Sequence, residues 1–138
     1  MIVLDTNVLS ELMRPAPSPQ VSRWAAAQVP VELFTTSITE AEIFYGIERV
    51  SRGKRRDALL AAAEALFSET FANRVLGFEG PAARAYGRIV AHRRSLGRPI
   101  AHADAQIAAI AQVHGASLAT RNVNHCQASG IRLINPWQ

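Results

Sequence analysis

The sequence predicts a single α/β domain, in which a short parallel sheet of four to five strands is flanked by helices. Three observations predict this fold class. The 138 residues match the length of one domain. Apolar residues make up 49% of the chain, enough for a sizeable core. Short apolar runs alternate along the chain with segments of helical periodicity. We therefore treat residues 1–138 as one α/β domain.

The first quarter of the chain begins this alternation. Three apolar residues at 2–4 predict the first strand. A helical pattern follows over residues 8–13, and two prolines end it. Ser18 then precedes Pro19, an order typical of a helix N-cap followed by the first helical residue. This part of the chain is therefore expected to form a strand and two helices.

The second strand is predicted at residues 33–36, and a capping box follows it directly. Ser37 and Glu40 have the spacing at which a serine oxygen and a glutamate side chain satisfy each other's free backbone donors. The helix that this box opens is expected to continue to about residue 50. The strand and the helix together form one α/β unit.

The rest of the chain continues the alternation to its end. The pattern predicts helices over residues 57–71, 82–96 and 103–113, and strands at 75–76, 116–120 and 131–134. A loop is expected over residues 122–126. Strands separated by helices favour a parallel sheet covered on both faces. In such sheets the working site lies beyond the carboxyl ends of the strands, where the strand order reverses.

The charge balance is basic and comes almost entirely from arginine. Fifteen basic residues against eleven acidic ones leave a net charge of +4, and Lys54 is the only lysine. This composition favours phosphate-bearing partners or an acidic protein surface. The single cysteine cannot form an internal disulfide, as is usual in a reducing compartment. Without a signal-peptide pattern or a run of ~18 apolar residues, we expect a cytoplasmic protein with no membrane association.

Three acidic residues occupy positions that favour a site. Asp5 follows the first strand, where it is equally consistent with a helix N-cap. Glu42 lies among apolar residues in the first turn of the helix after the second strand, where a solvated glutamate is also common. Asp104 opens the helix before the fourth strand in a nearly uncharged segment. There, interaction with the helix N-terminus is the simpler interpretation.

A parallel sheet can bring these three carboxylates together at one edge. Their charges would then repel one another and raise one another's pKa values. A hard divalent cation held by oxygen ligands relieves that repulsion. Carboxylates, Mg²⁺ or Mn²⁺ and a basic surface together indicate phosphodiester hydrolysis.

Five short motifs then carry a resemblance to a known family. They are Ile2-Val-Leu-Asp-Thr-Asn7, Thr39-x-x-Glu42-x-x-x-Gly46, Ala103-Asp104 with Ile107-Ala108, Thr120-Arg121-Asn122 and Asn135-Pro136-Trp137. Their order and spacing resemble those of PIN-domain ribonucleases. The chain is most similar to the VapC toxins of bacterial toxin–antitoxin pairs, in particular to the FitB-like branch.

This resemblance implies a PIN fold and Mg²⁺-dependent cleavage of RNA, with Mn²⁺ as an alternative ion. It implies that Asp5, Glu42 and Asp104 are the catalytic, metal-binding carboxylates. Thr6 and Asn7 would orient Asp5, and Thr120 would line the site.

The resemblance also implies a homodimer and a cognate antitoxin. Such antitoxins are small DNA-binding proteins whose tails cover the nuclease, so operator DNA is reached only through the antitoxin. The alternative function is a non-catalytic subunit of PIN fold, acting as a partner in an antitoxin–DNA complex that represses its own operon.

Two further features of the sequence concern the number of metal ions at the expected site and the arginines around it. Many PIN domains carry a fourth acid where this chain has Asn122, so a second metal ion is expected to bind weakly until the substrate phosphate contributes its oxygens. Arg93, Arg94, Arg98 and Arg121 flank the predicted site. They are either a solvated basic face or contacts to RNA phosphates.

Overall fold

Five parallel strands form one sheet, as the sequence predicts. The computed structural model describes residues 1–126 and 130–138, and only the backbone of His125 and Cys126. The strands are β1 (Ile2–Leu4), β2 (Leu33–Thr36), β3 (Val75–Leu76), β4 (Ser117–Ala119) and β5 (Leu133–Ile134). They lie in the order β3-β2-β1-β4-β5. Every neighbouring pair is parallel, which confirms the predicted α/β fold class.

The strand order reverses between β1 and β4. From β1 the chain adds β2 and β3 on one side, and β4 and β5 later extend the other side. Leu4 is in register with Ala119, and the Asp5 N–H donates to the Ala119 carbonyl over 2.9 Å. The residues that follow β1 and β4 therefore meet at the topological switch point, where parallel sheets place their ligands.

Seven α-helices connect the strands in the described part of the chain. They are α1 (Thr6–Leu12), α2 (Pro19–Ala26), α3 (Ser37–Glu48), α4 (Lys54–Ala65), α5 (Gly80–Ser95), α6 (His102–Val113) and α7 (Val123–Cys126). A 3₁₀ turn at Pro30–Glu32 precedes β2, and a π-helical turn at Leu66–Thr70 extends α4. None of the helices in residues 1–126 and 130–138 has the length and apolar character needed to cross a membrane.

The helices cover both faces of the sheet because side chains alternate along each strand. Leu4 packs into one cluster with side chains from α1, α2, α3 and α4. Val3, its neighbour in β1, packs on the opposite face with Ile107 of α6. The small side chains of α6, such as Ala108, let α5 pack closely over it. Helix α6 is thus held between α5 and the sheet.

The N-terminus of α3 differs from the predicted capping box. Thr36, still extended at the end of β2, is the N-cap, and its hydroxyl accepts a hydrogen bond from the Thr39 N–H over 3.1 Å. Ser37 is therefore the first helical residue, and the box with Glu40 is wrong. The strand places Thr36 in cap geometry before Ser37 is reached. Glu42 accordingly lies in the second turn rather than the first.

Among the other differences from the prediction, two concern α4 and the segment after Asn122. Helix α4 begins at Lys54, three residues before the predicted start, because Gly53 adopts φ 153°, a conformation that favours glycine and ends the preceding turn. The segment after Asn122 was predicted as a loop, but residues 123–126 form the short helix α7. The side chains of His125 and Cys126 lie outside the described part.

Candidate active site

Asp5 lies at the switch point and is held through both carboxylate oxygens. It is 5% exposed and N-caps α1 directly after β1. Its Oδ1 accepts from the Thr6 N–H over 2.8 Å, and its Oδ2 accepts from the Thr120 hydroxyl over 2.7 Å. Asp5 can therefore be both a helix N-cap and a site residue, because the same carboxylate caps α1 and lies at the carboxyl edge of the sheet.

The environment of Asp5 disfavours its charged form. Burial raises the pKa of the Asp5 carboxyl above its usual range, and the negative charges of Asp104 and Glu42 raise that pKa further. The hydrogen bonds from Thr120 and Thr6 lower the same pKa and partly offset these effects. The fold thus brings the three predicted carboxylates close enough for their charges to interact.

Glu42 is connected to α1 through Thr6. Its exposed side chain lies on α3, and its Oε1 accepts from the Thr6 hydroxyl over 2.6 Å. The same hydroxyl lies 3.0 Å from the Oγ1 of Thr39. Thr6 was expected to orient Asp5. Only its main-chain N–H contacts Asp5, while its side chain holds Glu42.

Asp104 reaches the site from the opposite face of the sheet. It is the third residue of α6 and is partly buried. Helix α6 runs back to β4 antiparallel to the strands, so its first turn lies at their carboxyl ends. The negative charge of Asp104 raises the pKa of the Asp5 carboxyl, so the two groups interact electrostatically.

The segment after β4 forms another wall of the site. The buried hydroxyl of Thr120 donates to Asp5 and accepts from the Asn122 N–H over 3.1 Å. The Arg121 N–H donates to Oδ1 of Asn7 over 3.3 Å. Asn7 therefore ties this segment to α1 instead of orienting Asp5, and Thr120 is the side chain that orients Asp5.

The four candidate RNA-binding arginines separate into two groups. Arg94, Arg98 and Arg121 are exposed, and the Arg121 guanidinium lies 5.0 Å from the centre of the Trp137 ring. Arg93 is 4% exposed, and its guanidinium binds main-chain carbonyls. Arg93 therefore cannot offer a free guanidinium to RNA, because the packing of α5 turns it inwards.

Thr39, which begins one of the five motifs, makes contacts that the motifs do not predict. The buried Thr39 hydroxyl lies within hydrogen-bond distance of both Thr6 and Thr36, so it connects the start of α3 to α1. Its position in the first turn of a helix that begins directly after a strand is the feature that could have identified it.

The donor atoms around Asp5 fit a hard divalent cation. Among the described residues, no three His, Cys, Asp or Glu side chains are grouped so that they could hold a metal ion as they stand. Like charges repel one another, and a bound cation offsets that repulsion. The donors near Asp5 are carboxylate and hydroxyl oxygens, the ligands that Mg²⁺ and Mn²⁺ prefer. We therefore consider the residues compatible with such an ion.

Comparison with known families agrees with this fold. Residues 2–131 match the model of the PIN domain family. The chain belongs to the PIN domain family.

Its relatives place it with the VapC and FitB toxins of that family, as the sequence motifs predict. The chain is 42% identical to the plasmid stability protein StbB of Pseudomonas syringae pv. tomato, over 100% of this chain and 99% of the relative. It is 40% identical to the VapC ribonuclease Y4jK of Sinorhizobium fredii, with the same coverage. It is 36% identical to the toxin FitB of Neisseria gonorrhoeae, over 99% of each chain.

Solved structures of toxin–antitoxin complexes share the fold. The structure of FitAB bound to the IR36 DNA fragment superposes with a TM-score of 0.94 at 36% sequence identity. The superposition covers 100% of this chain and 96% of the matched chain.

Proposed function

We propose that this protein is a Mg²⁺-dependent endoribonuclease, the toxin of a type II toxin–antitoxin pair. The observation that carries the proposal is the buried Asp5, oriented by Thr120 at the switch point and close to two further carboxylates. The ribonuclease name of one relative and the toxin name of another support this assignment.

Each site residue has a distinct role in the proposed reaction. Asp5, Glu42 and Asp104 would hold Mg²⁺, or Mn²⁺ in its place. Such a cation would supply Lewis-acid chemistry, which would activate a water and stabilise negative charge on the phosphoryl oxygens. Thr120 and Thr6 hold Asp5 and Glu42 in place by hydrogen bonds, so that both carboxylates need little rearrangement.

The exposed arginines would bind the RNA backbone. Arg94, Arg98 and Arg121 can donate to phosphate oxygens, which positions a strand without reading its sequence. Arg121 lies against Trp137, so its guanidinium is partly preorganised by the ring. An RNA substrate would be consistent with the expected cytoplasmic location.

An apolar groove beside Glu42 is where we place the cognate antitoxin. The groove has a volume of about 690 Å³ and lies between α1, α3 and α4. Met13, Ile43 and Leu59 supply its apolar lining, and Arg14 and Glu42 lie at its rim. A segment with an apolar face fits such a groove better than a polyanion does. An antitoxin seated there would also reach the carboxylates through Glu42.

Two assembly features complete the proposal. Operator DNA would be bound only through the antitoxin, in keeping with a complex in which FitAB is bound to a DNA fragment. The homodimer stays a prediction, which sedimentation of the purified protein can check.

The decisive experiment compares RNA cleavage by the wild type and three site variants. Asp5→Asn, Glu42→Gln and Asp104→Asn each remove one charge from the proposed metal site and little volume. We expect each to reduce cleavage in Mg²⁺ by at least about 100-fold. Loss of a contact that only supports a metal ligand already lowers metal affinity or activity by about 10–100-fold. Far-ultraviolet circular dichroism should show that all three remain folded.

Asp57→Asn is the matched control. Asp57 is an exposed aspartate in the first turn of α4, so the substitution removes the same charge without touching the site. Near wild-type cleavage by all three site variants would show that these carboxylates are not the active site. A wild type that binds its antitoxin and operator but cleaves no RNA would instead support the non-catalytic subunit.

A further inference from the structure

Arg93 is a buried cation to which the proposed reaction assigns no role. It is 4% exposed in the last turn of α5. A guanidinium stays protonated in proteins, so its burial is tolerated only where acceptors surround it. The Arg93 Nε–H donates to the Arg98 carbonyl over 2.8 Å, and one of its terminal N–H groups donates to the Asn124 carbonyl over 3.4 Å.

The first of these bonds closes the turn between α5 and α6. The Arg98 N–H donates to the Arg93 carbonyl over 2.9 Å, and the Arg93 side chain donates back to the Arg98 carbonyl. Gly97, at φ 67°, reverses the chain between them. This turn leads into α6, which carries Asp104 in its first turn. Arg93 thus fixes the approach of the chain to Asp104.

The second bond reaches α7, on the other side of the site. Helix α7 begins directly after Asn122, whose N–H donates to the Thr120 hydroxyl. Thr120 in turn donates to Asp5. Arg93 is therefore connected to Asp5 by its bond to Asn124, by the main chain from Asn124 back to Asn122, and by the hydrogen bonds of Thr120.

We propose that Arg93 is a positioning residue, which holds the α5–α6 turn and α7 together and thereby sets the spacing of Asp104 and Thr120 around Asp5. The inference rests on the proposed function in one respect, the divalent ion at this site. Mg²⁺ requires nearly ideal octahedral geometry, so a small change in the spacing of these oxygens weakens its binding. Loss of a comparable supporting contact elsewhere costs about 10–100-fold in metal affinity.

The test compares Arg93→Gln and Arg93→Lys with Arg94→Gln. Arg94 is the exposed neighbour on the same turn, so Arg94→Gln removes the same charge and leaves the bridge intact. Two quantities are measured on the protein without RNA. These are amide hydrogen exchange in residues 96–104 and 120–124, and Mg²⁺ affinity by calorimetry. Cleavage kinetics are then measured for the same proteins.

We expect Arg93→Gln to speed exchange in both segments and to weaken Mg²⁺ binding by about 10–100-fold. Its kcat should fall with little change in KM. The exchange rates and Mg²⁺ affinity of Arg93→Lys should lie between those of Arg93→Gln and the wild type. An ammonium keeps the charge but lacks the planar fork of donors. Arg94→Gln should match the wild type in exchange and Mg²⁺ affinity and only raise KM. If Arg93→Gln does not fold, the comparison is made with Arg93→Lys.

Two outcomes would overturn the inference. One is equal exchange in the Arg93 and Arg94 variants, and the other is faster exchange with unchanged Mg²⁺ affinity. A wild type that binds no Mg²⁺ contradicts the proposed metal site instead. The exchange data would then still show whether Arg93 bridges the two segments, so the two failures are distinguishable.

Discussion

Asp5 combines a structural and a chemical task in one side chain. As the N-cap of α1 it satisfies the Thr6 N–H, and as a buried carboxylate near Asp104 and Glu42 it carries a raised pKa. Folding therefore disfavours its charged form when no cation is bound. Buried charged groups that lower the stability of the folded protein are common at sites that bind a ligand.

A stability measurement can test this conflict. Below the unfolded-state pKa of about 3.9 the carboxyl is protonated in both states and carries no penalty. The penalty grows as the pH rises from there through the higher folded-state pKa, and it is complete above that value. In EDTA at pH 7, Asp5→Asn should thus raise the free energy of unfolding, on the order of 1 kcal/mol. The gain should vanish as the pH falls towards 4.

Urea unfolding at several pH values measures both effects, with Asp57→Asn as the control. Asp57 is exposed, so its substitution should stay within about 0.5 kcal/mol of the wild type. Added Mg²⁺ should stabilise the wild type more than Asp5→Asn. If the stability gained by Asp5→Asn became larger at low pH, the pKa of Asp5 would not be raised in the folded protein.

Thr120 illustrates how one hydroxyl can order a site. It donates to Asp5 and accepts from the Asn122 N–H, so removing it leaves both partners unsatisfied. Thr120→Val should lower cleavage by about 10–100-fold and destabilise the fold by about 1–3 kcal/mol. Thr120→Ser keeps the hydroxyl and should retain most of the activity. Equal cleavage by the valine and serine variants, measured at saturating RNA, would show that the hydroxyl has no such role.

Helix α3 links the site to the proposed antitoxin groove. Glu42 faces Thr6 on α1, and Gly46, one turn later, lines the groove. A Cβ atom at Gly46 would meet no atom within 4 Å apart from its chain neighbours and the backbone of its own helix. Glycine inside a helix costs roughly 0.5–1 kcal/mol relative to alanine, and internal packing does not require it here. We infer that the absence of a side chain at Gly46 leaves room for the antitoxin segment in the groove.

Substitutions at Gly46 therefore separate folding from binding. Gly46→Ala should stabilise the free protein by about 0.5–1 kcal/mol in thermal unfolding. Gly46→Leu should fold but weaken antitoxin binding by at least about tenfold, since its side chain fills part of the groove. Gly87 on α5 also has open space around it, so Gly87→Leu is the matched control. Equal antitoxin affinity of the two leucine variants would place the antitoxin elsewhere.

At the scale of the whole molecule, a basic protein carries acidic side chains at the switch point of its sheet. The net charge is +4, yet the switch point gathers Asp5, Glu42 and Asp104. The basic surface suits an RNA backbone, and the acidic centre suits a cation. An arginine of the antitoxin can occupy the same centre, because its fork can bridge two carboxylates.

Inhibition should therefore depend on one antitoxin arginine. Replacing that arginine with glutamine should weaken inhibition of cleavage by at least about tenfold, the scale of a lost charged contact. Glutamine replacements of the other basic residues in the antitoxin tail serve as controls. A structure of the complex with an apolar antitoxin segment over Asp5 and Asp104 would contradict this prediction.

The fold class could be predicted from local features of the sequence, whereas the roles of the site residues stay a prediction. The apolar runs that begin β1 and β2 are each followed by polar residues, and the structure has both strands at the predicted residues. Asp5, Glu42 and Asp104 could be predicted to converge because parallel strands place their carboxyl ends at one edge. These features depend on near neighbours in the chain, which the sequence alone contains.

Only the tertiary structure decided which partner each polar side chain has. Arg93 and Arg94 are adjacent and alike in sequence, yet α7 and the α5–α6 turn bury only the first. The Thr6 hydroxyl reaches Glu42 across 36 positions, and Asn7 reaches the Arg121 N–H across 114. Such pairings depend on how distant segments pack against one sheet. Local pattern therefore determined where the site forms, and long-range packing determined which side chains hold it together.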